Sequence, residues 1–246
     1  MKIYDFKTYE EMSQKAAEML RGQLSEKPDS VLGFATGSSP EGMYKALIQL
    51  NKENKIDFSK VRATFNLDEY FPIKKTDPQS YYRFMMDKLF SHINLDPAVI
   101  NVPNGEAGDP HEECADYEKK IALSGGIDFQ LLGIGDNGHI GFNEPSDHFP
   151  ALSHYASLAP ATVEANARFF SSADDVPKNS ITMGIQSIMM AKKILVICGT
   201  QKRAELLREA IYGKITPHLP ASVLRLHQNV TIMTSNGAGK YLISNP

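Results

Sequence analysis

The stretch Ile127–Pro145, IDFQLLGIGDNGHIGFNEP, decides how this chain reads. Its first part is apolar at Ile127, Phe129, Leu131 and Leu132, as in a strand buried on both faces. From Gly133 onward it turns at once glycine-rich and polar, with four glycines around His139 and Glu144. A chain that leaves a buried strand in this way stands at the carboxyl edge of a parallel sheet, where open α/β folds bind ligands. Histidine has an ordinary pKa suited to moving protons near neutral pH. The stretch therefore predicts a parallel-sheet fold with a small-molecule active site at that edge.

Outward from this point, helical and strand patterns alternate along the chain. Met12, Ala16, Met19 and Leu20 recur at helical spacing behind Thr8 and predict a helix over 8–22. Val31–Ala35 reads as a strand followed by a helix opened by Pro40, and Val61–Leu67 as a strand ending at Asp68. Further helices are expected at 80–92, 111–123, 160–170, 184–191 and 201–212. The remaining strands are Ile100–Val102, Phe129–Ile134, Ile194–Cys198 and Val230–Met233. This alternation implies an α/β fold, its mostly parallel central sheet flanked by helices on both faces. No linker or repeat interrupts it, so residues 1–246 are expected to form one domain. The polar loop from Pro145 to His154 is expected to act as a mobile lid.

Composition narrows the partners. An apolar share of 42% and a charged share of 22% over 246 residues suit a globular chain that needs no metal or disulfide to hold its core. A net charge of −3 and a pI near 6.2 argue against nucleic acid and anionic membranes as partners. Cys114 and Cys198 are far apart and outside any metal-ligand spacing, which points to a reducing compartment. The N-terminus MKIYDFKTYEEM has no apolar leader core, and no stretch reaches the length of a membrane span, so a cytoplasmic location is expected.

Four places could carry chemistry. In ATGSSPEG, residues 35–42, Thr36, Gly37, Ser38 and Ser39 lie between a strand and a helix start, where N–H groups and hydroxyls can hold phosphate. The same residues also suit a plain turn capped by Ser39. In FNLDEY, residues 65–70, Asp68 and Glu69 are adjacent carboxylates on extended chain and so point opposite ways. One would face the pocket as a base with a raised pKa and the other would pair elsewhere; a capping aspartate is the alternative. In the central stretch, Asn137, His139 and Glu144 are close enough for a curled loop to bring the imidazole and carboxylate together. Zinc is disfavoured there, since HIGFNE lacks helical ligand spacing and a third ligand. Finally, Arg168 in EANARFF and Lys202 in GTQK are cations suited to a phosphomonoester, or else ordinary surface charges.

Taken together, LGFATGSSPEGMYKAL, FNLDEYFPI with DPQSYYRFM, GIGDNGHIGFNEP, EANARFF and GTQKRAE resemble the glucosamine-6-phosphate deaminases, from about Leu32 to Leu226. The resemblance implies a Rossmann-like fold that converts glucosamine 6-phosphate and water to fructose 6-phosphate and ammonia with no metal or organic cofactor. It implies that Asp68 moves the proton from C2 to C1, that His139 assists ring opening, and that Glu144 orients and charge-balances His139. Thr36, Gly37, Ser38 and Ser39, with Arg168 and Lys202, would hold the 6-phosphate. Asn137 is a departure, because some members carry aspartate there, and asparagine can bond an imidazole without balancing its charge. Hexameric members activated by N-acetylglucosamine 6-phosphate use a basic cluster after NEP and a longer C-terminal segment. Here SDHFPALSHYASL has no Lys or Arg and the chain stops at Pro246, so no such control is expected, and a monomer or small homo-oligomer is. The rival readings are a 6-phosphogluconolactonase-like hydrolase and a non-catalytic sugar-phosphate sensor. The sensor is disfavoured because the chain has no DNA-binding module or basic patch.

Overall fold

The structure, a computed structural model, describes residues 1–167, 170, 172 and 175–242. In chain order its elements are β1 (Lys2–Phe6), α1 (Tyr9–Glu26), β2 (Val31–Phe34), α2 (Glu41–Lys52), β3 (Ala63–Asn66) and β4 (Asp68–Phe71). Then come α3 (Tyr81–Lys88), β5 (Ile100–Asn101), α4 (Pro110–Leu123), β6 (Phe129–Leu132), β7 (His154–Ser157) and α5 (Pro160–Asn166). The last are β8 (Asn179–Thr182), α6 (Ile185–Met189), β9 (Lys193–Cys198), α7 (Ala204–Tyr212) and β10 (Val230–Ser235).

The main sheet has seven strands in the order β1-β10-β9-β6-β2-β3-β5, and every pairing in it is parallel. Its inner strands β2, β3 and β6 are buried at every position, which explains why they read as continuous apolar runs rather than alternating ones. From β2 the chain steps through β3 to β5 in one direction, and from β6 through β9 to β10 in the other. The order therefore reverses between the neighbours β2 and β6. Loops leaving their carboxyl ends diverge and open a crevice, the usual ligand position in such sheets.

The helices have local causes. Thr8 opens α1 with a reciprocal cap: its hydroxyl accepts the Glu11 N–H at 3.2 Å while the Glu11 carboxylate accepts the Thr8 N–H at 3.3 Å. Ser80 opens α3 by accepting the Arg83 N–H at 3.1 Å. The helix expected over 80–92 stops at Lys88 and ends in a tighter 310 turn, Phe90–His92. Residues 168 and 169 of the helix expected over 160–170 lie outside the described residues.

Two features depart from expectation. KIYDF forms an edge strand, β1, paired in parallel with β10. In addition, the strand expected to end at Asp68 stops at Asn66, and the chain resumes at Asp68 in a second, antiparallel sheet ordered β4-β8-β7. There Asp68 pairs with Thr182 and Glu69 with Ile181, so the two carboxylates lie on opposite faces of a paired strand. The segment 145–154 is tied down instead of poised as a lid. Pro150 O accepts the Ile185 N–H at 2.7 Å, and Ala151 O accepts the Gln186 N–H at 2.9 Å. These carbonyls satisfy the first turn of α6, and Glu118 accepts the Ser153 N–H at 2.7 Å. Among the described residues no helix is long and apolar enough to cross a membrane.

Candidate active site

A cleft of about 460 Å³ opens at the crevice between β2 and β6. Thr36, Gly37, Ser38 and Ser39 line it from β2, Asp68 from β4, and Asn137 and His139 from the loop after β6. Three distant stretches of sequence thus meet in one cavity.

The β2 loop is held from below by α1. The Tyr9 hydroxyl lies 3.0 Å from Ser38 O and 2.9 Å from Ser39 O, and accepts the Gly42 N–H at 2.8 Å. Pro40, not Ser39, occupies the start of α2, with no side-chain cap. Within the described residues no acceptor meets the N–H groups of Thr36, Gly37, Ser38 or Ser39. Backbone N–H groups left open beside a cavity at a helix start suit an anion.

Asp68 is the buried carboxylate of the cleft. It is 6% exposed, and no group among the described residues donates a hydrogen bond to it. Burial, and then the neighbouring Glu69 charge, push its carboxyl up to about 8. Glu69 faces away and caps α3. Its oxygens accept N–H groups from Tyr70 at 2.9 Å, Tyr81 at 2.8 Å and Tyr82 at 2.9 Å. Its own burial pushes it up to about 7 against those three donors. The division expected from strand geometry is the one found.

The loop after β6 builds a chain of polar contacts behind the imidazole. Asn137 Oδ1 lies 2.8 Å from His139 Nδ1, and Asn137 Nδ2 donates to Glu144 Oε2 at 2.6 Å. The reverse amide orientation would set oxygen against carboxylate, so the contacts fix this one. Nδ1 must then carry the hydrogen, which leaves Nε2 as the acceptor in the neutral ring. Glu144 Oε2 is also 3.4 Å from Nδ1, while Oε1 accepts the Thr162 hydroxyl at 2.6 Å. Burial pushes the Glu144 carboxyl up, but the bond and charge of His139, with Thr162 and Asn137, bring it down to about 2.

Glycine is required here for two reasons. A β-carbon on Gly135 would fall 2.2 Å from the His139 ring, so the imidazole can lie across the loop only if that side chain is missing. Gly141 takes φ of 57°, and a β-carbon there would lie 3.6 Å from Asp68 Oδ2 and 2.9 Å from Thr182 Oγ1. The Thr182 hydroxyl accepts the Phe142 N–H at 3.0 Å and locks the loop against β8 beside Asp68.

Of the cations expected to bind phosphate, Arg168 lies outside the described residues. Lys202 is 74% exposed, bonds Asp136 at 2.8 Å, and is not among the cleft-lining residues. Sequence reasoning missed Thr162, which α5 brings to Glu144, and Arg203, which does line the cleft. It also missed the aromatic wall, in which Tyr81 stacks on Phe142 at 6.0 Å between ring centres. Arg203 stands beside Lys202 in the quoted motif and was open to notice. Thr162 had no local signal, because its role depends on a contact across 18 residues.

Comparison with known proteins agrees with this geometry. The family model described as glucosamine-6-phosphate isomerases/6-phosphogluconolactonase matches residues 6–233. A glucosamine-6-phosphate deaminase of Clostridium novyi (strain NT) is 50% identical over 242 residues, covering 98% of this chain and 100% of the relative. The solved structure of a monomeric glucosamine-6-phosphate deaminase superposes with a TM-score of 0.95 at 44% identity, over 98% of this chain and 100% of that one. The 6-phosphogluconolactonase of Thermotoga maritima superposes at 0.75 with 18% identity, over 95% and 98% of the two chains, a likeness of fold alone.

Proposed function

The chain belongs to the family of glucosamine-6-phosphate isomerases and 6-phosphogluconolactonases, and we propose that within it this protein is a glucosamine-6-phosphate deaminase. It converts glucosamine 6-phosphate and water to fructose 6-phosphate and ammonia. The observation that carries this reading is the pairing, in one cleft, of a buried carboxylate without donors and an imidazole whose Nε2 is left as acceptor.

The chemistry follows from those two groups. His139 Nε2 takes the C1 hydroxyl proton and returns it to the ring oxygen, opening the pyranose to the aldehyde. Asn137 and Glu144 hold the imidazole in the required tautomer and stabilise it while it carries the extra proton. The aldehyde acidifies the C2–H, and the Asp68 carboxylate takes that proton. Returned to C1, the proton leaves an iminium at C2. Water adds to it and ammonia departs. A carboxyl held near 8 suits this cycle: a substrate ammonium at C2 draws it toward the carboxylate, and its basicity exceeds that of an ordinary aspartate.

The loop Thr36–Ser39, with Lys202 and Arg168, would tether the 6-phosphate, and binding energy gained there can be used at the reacting carbons. The reading includes a cytoplasmic enzyme of amino-sugar breakdown, serving N-acetylglucosamine utilisation, monomeric or a small homo-oligomer, without nucleic-acid or membrane partners. The test is ammonia release from glucosamine 6-phosphate without added metal, set beside hydrolysis of 6-phosphogluconolactone by the same preparation. Ammonia with fructose 6-phosphate is the expected product. Lactone opening without ammonia would replace this reading with the hydrolase one.

A further inference from the structure

Arg203 has a place in the cleft that the motif-based assignment leaves out. Its side chain is 21% exposed and lines the same cavity as Thr36, Ser38 and Ser39, whereas its neighbour Lys202 projects outward. Asp136 Oδ1 accepts from Arg203 Nε at 2.9 Å, so the side chain is held by the root of its fork. The guanidinium also lies beside the Cys198 thiol at the end of β9, which draws it in toward the sheet. A guanidinium anchored at Nε has its terminal NH2 groups left for a second acceptor, and its planar fork matches two oxygens of a phosphate.

We propose that Arg203 is a direct ligand of the substrate's phosphate group, facing the open N–H groups of Thr36–Ser39 across the cleft. The identity of that substrate as a phosphorylated amino sugar rests on the deaminase reading, but the anion site itself does not. With Arg203 in this role the phosphate meets a fixed, half-buried cation instead of depending on a lysine that is mostly solvated.

The experiment compares wild type, Arg203→Gln and Arg203→Lys by calorimetric titration with inorganic phosphate and by steady-state kinetics on glucosamine 6-phosphate and unphosphorylated glucosamine. Loss of a charge-assisted hydrogen bond is expected to weaken inorganic phosphate binding in Arg203→Gln by about 10- to 100-fold. KM for the phosphorylated sugar rises by a similar factor, and the preference in kcat/KM for phosphorylated over unphosphorylated sugar shrinks accordingly. Arg203→Lys keeps the charge without the fork and recovers part of the loss. Phosphate binding by a folded Arg203→Gln equal to wild type would overturn the proposal, whatever its turnover. Wild-type protein that binds phosphate but releases no ammonia would instead sink the deaminase reading and leave the Arg203 titration to decide the anion site.

Discussion

Two buried aspartates stand at opposite edges of the same sheet and have opposite surroundings. Asp128 precedes β6 at the amino edge and is 2% exposed; Asp68 follows β3 at the carboxyl edge and is 6% exposed. Asp128 accepts from Lys27 at 2.6 Å, Lys192 at 2.7 Å and the Val31 N–H at 2.8 Å. Burial pushes its carboxyl up, but the two lysines and the Val31 N–H outweigh that and hold it below the usual range. Asp68 has no such donors, and its carboxyl rises to about 8. Equal burial therefore gives a structural anion at one edge and a proton acceptor at the other. Hydrogen-bond donors decide which.

The largest expected effect concerns the partner of Asp68. His139→Gln keeps an amide in the loop but removes the proton carrier, and a lost general acid–base group lowers the rate by about 10²–10⁴-fold. The loss should fall on reaction from the closed ring and be smaller when open-chain aldehyde is supplied by rapid pre-equilibration. Equal losses from both forms would separate His139 from ring opening.

Smaller effects set the two aspartates against each other. Asp128→Asn leaves two lysines without their counter-ion and is expected to cost on the order of 1–3 kcal/mol of stability at neutral pH. The Asp128 carboxylate stabilises the fold above the ordinary carboxylate range, and that contribution is lost as pH falls through its lowered value. Asp68→Asn should do the reverse. With a folded pKa near 8, Asp68 penalises the fold increasingly as pH rises from the ordinary carboxylate range toward 8. Removing it should raise stability by on the order of 1–3 kcal/mol near pH 9 and change little near pH 4. Thermal melts of both variants across pH check the signs. The same sign for both would collapse the comparison.

The smallest expected effect is at Asn137. Asn137→Asp puts a carboxyl against both His139 and Glu144, where one of the two carboxyls must take up a proton or pair with the imidazolium. A charge beside the ring favours its protonated form, so the acid limb of kcat/KM should move to higher pH by about one unit or less. An unmoved profile would mean that the amide does not couple the imidazole to Glu144.

Much of this was legible in the chain because parallel strands leave clear marks. VLGF, ATFN and FQLL are buried on both faces and read as unbroken apolar runs. The glycine loops after β2 and β6 announce the edge at which the strand order reverses. The antiparallel sheet was hidden because its strands, DEYF, HYAS and NSIT, are short and polar, and the charges in the first look like a strand terminator. The split between Asp68 and Glu69 followed from the alternation of extended chain, but which of them would cap a helix depended on where Tyr81 and Tyr82 begin α3. The choice of Lys202 over Arg203 shows the limit of motif reading. Position in a motif does not tell which neighbouring side chain turns into the cavity.

The most direct measurement is ammonia release by Asp68→Asn at saturating glucosamine 6-phosphate, with inorganic phosphate binding measured on the same sample. An uncharged isostere that accepts no proton is expected to lower turnover by about 10²–10⁴-fold while phosphate still binds. Turnover close to wild type would show that another group moves the C2 proton, and the contrast between the two buried aspartates would lose its functional meaning.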